Sequence, residues 1–83
     1  MPKRNEVYVR LADVNVAQNH LDAAVKVLKQ GLVAAPDDKV LLFKLASLYQ
    51  LSGQYDDSIA IYENLINLYV DLSLFVSYFD RYF

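Results

Sequence analysis

The sequence predicts an all-α fold, an array of about five helices arranged as antiparallel helix-turn-helix repeats, and three observations lead there. Apolar residues recur three and four positions apart, the spacing of one helix face. Helix breakers are scarce, with two prolines and two glycines in 83 residues. A shift of 34 residues lays the first half of the chain on the second, Leu11 on Leu45, Ala12 on Ala46, Asp22 on Asp56, Asp37 on Asp71, Val25 on Ile59, Val27 on Ile61 and Leu32 on Ile66. Connections of three or four residues with no strand signal send each helix back along the previous one.

The first helix is read from Val7, Tyr8, Leu11, Ala12 and Val14, a single apolar face by spacing, and it fades at Gln18-Asn19-His20. The second carries Leu21, Ala24, Val25, Leu28 and Leu32, places Asp22 in its first turn to complement the helix dipole, and stops before Pro36. Asp37-Asp38 offers a capping carboxylate to a third helix with Val40, Leu41, Leu42, Leu45, Ala46, Leu48 and Tyr49, which ends at Ser52-Gly53. Gly53 suits a left-handed position just past a helix end. Tyr55, Ile59, Tyr62, Leu65, Ile66 and Tyr69 make the fourth helix, with Asp56 and Asp57 at its front. Asp71 can cap a fifth that begins near Leu72.

Composition removes several functions. The chain is long enough for one domain, and its 55% hydrophobic content excludes a disordered segment. A net charge of −2 with scattered cations gives no basic field for nucleic acid. Without cysteine there is no disulfide framework or thiolate chemistry. His20, alone in a turn, has no second histidine or cysteine with which to hold a metal, and reads as a solvated residue. The pairs Asp37-Asp38 and Asp56-Asp57 stand at helix starts, where capping explains them better than acid–base catalysis. Gly31 and Gly53 are isolated and form no phosphate loop. Tyr49, Tyr55, Tyr62 and Tyr69 are assigned to the seams between helices. No catalytic residue, metal or cofactor is expected. The start of the chain does not read as a signal peptide, and the apolar stretch 58–79 holds Glu63, Asn64, Asn67 and Asp71, which argues against a membrane span. A cytoplasmic location is the expectation.

The repeat can be followed position by position. In the first unit Tyr8 stands at a bulky first-helix position, Leu11-Ala12 is a leucine followed by a small residue, Asn19 is at the turn, Ala24 is small, Leu28 is large and Pro36 is terminal. In the second unit Leu42, Leu45-Ala46, Tyr49, Gly53, Tyr55, Ser58, Tyr62, Leu65 and Ile66 take the corresponding places, with Gly53-Gln54-Tyr55-Asp56-Asp57 across the turn. This pattern resembles the tetratricopeptide repeat. The resemblance divides the chain into one unit over 5–38, a second over 39–72, and a capping helix or incomplete third unit over 73–83. Three positions depart from the pattern. Gly31 replaces the usual alanine inside the second helix at about 1 kcal/mol of helix preference, Val70 replaces a terminal proline, and Asp80 falls where a third unit wants a small residue.

The resemblance implies a protein-interaction scaffold that binds a peptide or partner helix in a concave groove lined by the first helix of each unit. Its groove-facing positions are Glu6, Val9, Asp13, Val16 and Ala17, with Val40, Phe43, Lys44, Ser47, Gln50 and Leu51. Val9, Asp13, Val16, Phe43, Ser47 and Gln50 are the partner-binding candidates. The family's carboxylate-clamp version needs a lysine and an asparagine where Val9 and Asp13 stand, so an acidic peptide terminus is disfavoured. The alternative is an assembly segment: Leu74, Tyr78 and Tyr82 form a second apolar stripe on the expected fifth helix, which makes them candidates for an oligomer interface, with a second copy or the rest of a longer repeat protein as partner.

Overall fold

The computed structural model describes residues 4–69 and residue 81. Among them are four helices and no strand: α1 (Arg4–Ala17), α2 (Leu21–Ala34), α3 (Lys39–Leu51) and α4 (Tyr55–Tyr69). The expected count was about five; the described residues give four, and the fifth, with Asp71 as its cap, lies outside them. α1 packs on α2, α2 on α3 and α3 on α4, with a lighter contact between α1 and α3.

The two turns inside the hairpins are built alike. After α1, Asn19 N–H donates to the Val16 carbonyl at 2.9 Å and His20 N–H to that of Asn15 at 2.7 Å; after α3, Gly53 N–H donates to Gln50 at 3.2 Å and Gln54 N–H to Tyr49 at 2.8 Å. Each pair closes the helix end only if the residue past the cap turns left-handed. Asn19 (φ 62°) and Gly53 (φ 82°) both do so. Asparagine and glycine are the residues that visit this region readily. Open space surrounds Gly53, so Gly53→Asn is expected to stay within about 0.5 kcal/mol of the native stability, whereas Gly53→Val should lose roughly 1–2 kcal/mol to the left-handed backbone; urea titrations compare the two.

Between the hairpins, Asp38 caps α3, its carboxylate accepting from Val40 N–H at 3.0 Å and Leu41 N–H at 3.1 Å. Such a cap contributes about 1 kcal/mol. Asn5 Nδ2 also donates to the Asp38 carboxylate, at 3.2 Å, which ties the start of α1 to the start of α3. The acid that starts one hairpin thus fixes its register against the other.

Small residues set the spacing within each hairpin. Ala12 faces the α1–α2 seam with Ala24, and Ala46 faces the α3–α4 seam with Ser58; all four are buried. Ser58 Oγ donates to the Ala46 carbonyl at 3.0 Å, so its buried hydroxyl is satisfied. Leu28, Leu41, Leu45, Leu48 and Tyr49 complete the core between hairpins. Gly31 is buried where three helices meet: a Cβ there would stand 2.9 Å from Leu41 Cδ1 and 2.9 Å from Tyr8 Cγ. The helix preference that glycine forfeits is exchanged for this close approach.

Two expectations about side-chain placement are corrected. Val7, Leu11 and Val14 were grouped with Tyr8 and Ala12 on one face, yet they are exposed while Tyr8 is half-buried and Ala12 buried. Their spacing is helical, but the two sets lie on different sides of α1. Tyr55, assigned to a seam, is exposed at the start of α4.

Candidate functional site

α1 and α3 lie side by side, and the candidate residues sit along them. Val9 and Val16 are half-buried and pack against the core cluster, so they belong as much to the seam as to a binding face. Asp13 is exposed and bridges to Lys44 Nζ at 2.6 Å across the two units. The bridge neutralises the one carboxylate among the candidates. Surface ion pairs contribute about 1 kcal/mol or less, so its effect is on the charge of the face more than on stability.

The second unit carries the more open part. Phe43 is 58% exposed, and its ring meets that of Tyr62 edge to face, with centroids 6.1 Å apart. Tyr62 O–H reaches the Gln50 Oε1 acceptor at 3.5 Å. Phe43, Tyr62 and Gln50 therefore form one cluster that joins α3 to α4. Ser47 Oγ donates to the Phe43 carbonyl at 3.0 Å, within its own helix turn. That hydroxyl is occupied locally and is a weaker candidate for partner contact.

Tyr62, read from the sequence as filling a seam, does join α4 to α3, and there it stands beside the candidates Phe43 and Gln50. By repeat register it matches Leu28, which is fully buried, and Tyr62 is only half-buried. The signal in the sequence was the hydroxyl, since a tyrosine at a position that tolerates leucine has a polar tip to bring to water or to a partner. The interface candidates Leu74, Tyr78 and Tyr82 lie outside the described residues.

A small cleft at the α1–α2–α3 junction is lined by Arg4, Asn5, Tyr8, Gly31, Ala34 and Leu41, with room for about 40 Å³. Small-molecule sites are roughly 300–1,000 Å³. No helix among the described residues is long and apolar enough to cross a membrane.

Two hairpins in register, paired small residues and matched left-handed turns agree with the comparison against known families. A family model described as YpiA-like, tetratricopeptide repeats, matches residues 17–69. No curated protein and no solved structure matches the chain.

Proposed function

We propose, from the premise that this chain belongs to the tetratricopeptide-repeat family, that its face of α1 and α3 binds an apolar segment of a protein partner with Phe43 as the anchor. Repeats of this family mediate protein–protein interaction. The observation that carries the finer reading is the Phe43 ring, open on one side and held on the other by Tyr62. A rigid aromatic at the centre of a contact is the usual form of a binding hot spot. Gln50, its Oε1 engaged by Tyr62, offers its amide N–H groups to a partner backbone.

The chemistry favours a neutral partner segment. Asp13 and Lys44 cancel each other, and Val9 and Val16 contribute half-buried apolar surface along α1. An amphipathic helix or an extended apolar strand can lie on such a face. The test is a displayed library of amphipathic and extended apolar peptides selected on the native chain. Phe43→Ala is expected to weaken the selected peptides about tenfold, equivalent to about 1.4 kcal/mol, with the far-ultraviolet circular dichroism unchanged. Peptides that bind the Phe43→Ala variant as tightly as the native chain would overturn the assignment.

A further inference from the structure

We propose that the exposed stripe Val7, Leu11 and Val14 on α1 receives the α4 face of a second copy of this chain, so that copies stack head to tail. The argument is a comparison the protein makes with itself. Moved on by 34 residues, the stripe falls on Leu41, Leu45 and Leu48 of α3. These three are at most 4% exposed, because α2 of the preceding hairpin lies over them, while Val7, Leu11 and Val14 are 50–54% exposed. The position in the repeat is the same. What differs is whether a hairpin stands on that side.

The complementary surface is present in the same chain. On α2, Val25 and Leu32 are half-buried and pack against the core. Their counterparts on α4, Ile59 and Ile66, stand 53% and 54% exposed. The α2–α3 junction thus has both of its halves repeated on the outer flanks of the molecule, one on α1 and one on α4. The central position differs: Gly31 receives Leu41 in the observed junction, whereas its counterpart Leu65 is already buried within the chain, so on the α4 side the contact between copies rests on Ile59 and Ile66.

The polar ties do not carry over. The Asn5–Asp38 hydrogen bond becomes Lys39 opposite Arg4 of the next copy, and the Asp13–Lys44 bridge becomes Ser47 opposite Arg10 of the next copy. The contact between copies therefore rests on apolar burial, without the polar ties of the observed junction. Because the two surfaces differ, the interface is heterologous and does not close at a dimer.

The inference rests on the repeat register and is independent of the Phe43 face. Sedimentation velocity of the native chain over a concentration series tests it, alongside Leu11→Lys, which blocks the α1 flank, and Ile66→Lys, which blocks the α4 flank. Both residues are half exposed, and unchanged circular dichroism shows that the variants fold. The native chain is expected to grow past dimer with concentration. Each variant alone is expected to be monomeric. An equimolar mixture of the two is expected to form a heterodimer that grows no further, since each supplies the flank the other lacks. A native chain that stays monomeric overturns the proposal, and is the outcome if the chain's own segment beyond α4 covers that flank. So does association that Leu11→Lys leaves intact, which would place the contact elsewhere, Leu74, Tyr78 and Tyr82 included. Loss of association in Leu11→Lys without recovery in the mixture would mean a symmetric α1–α1 contact instead.

Discussion

Leu28→Ala is expected to remove 2–5 kcal/mol of stability, roughly the span measured for leucine truncations in well-packed cores. Leu28 is fully buried, one of the two largest side chains without exposed surface, and lies in the core cluster shared by the hairpins. Its loss opens a cavity whose walls are three helices that cannot close around it, because Ala12 and Ala24 already hold α1 and α2 at contact distance. Domains hold roughly 0.05–0.15 kcal/mol per residue in total. A chain of this length therefore has little beyond the loss, and the variant is expected to be largely unfolded at low urea. Val33→Ala, at a position 83% exposed on the same helix, should move stability by about 0.5 kcal/mol or less. A pair of urea titrations followed by circular dichroism decides the matter, and equal midpoints would refute the account of the core.

Gly31→Ala sets two effects against each other. Helix preference favours alanine by about 1 kcal/mol. The new methyl would stand 2.9 Å from both Leu41 Cδ1 and Tyr8 Cγ, and overpacking a tight seam costs roughly 1–3 kcal/mol. Leu41 can swing its terminal methyl away; the root of the Tyr8 ring can move only by leaving its χ1 well or with α1. We expect the steric effect to win, with Gly31→Ala less stable by about 1 kcal/mol in the same titration. A gain in stability would show that α1 can back away from α2 and α3 at no loss.

Much of this fold was legible in the residues because each local signal agreed with the others. The breaks at Asn19, Pro36 and Gly53 bound the helices, and Asp38 announced its cap. The small residues Ala12, Ala24, Ala46 and Ser58 mark the seams in the sequence itself. What periodicity could not resolve was which side of a helix meets which neighbour. Val7 and Tyr8 are adjacent and both apolar, so a spacing rule joins them, yet one meets solvent and the other the junction at Gly31. Sidedness depends on how many hairpins are stacked, which is a property of the assembly of helices rather than of any one of them. The site was harder still. Phe43 stood out as an apolar residue at a groove position, but its cluster with Tyr62 and Gln50 joins two helices, with Gln50 and Tyr62 12 residues apart and Phe43 farther still. Likewise the Asp13–Lys44 bridge spans both units, and only the stacking of α3 on α1 brings its ends together.

Because each helix lies chiefly against the ones next to it in the chain, no distant segments have to find one another before packing begins. The entropy of closing large loops, which slows β-rich domains, is small here at every step. The molecule can be assembled from either hairpin outward, each finished pair serving as the template on which the next one condenses. Both hairpins contribute to one core cluster, so neither is closed without the other and damage in one is felt by both.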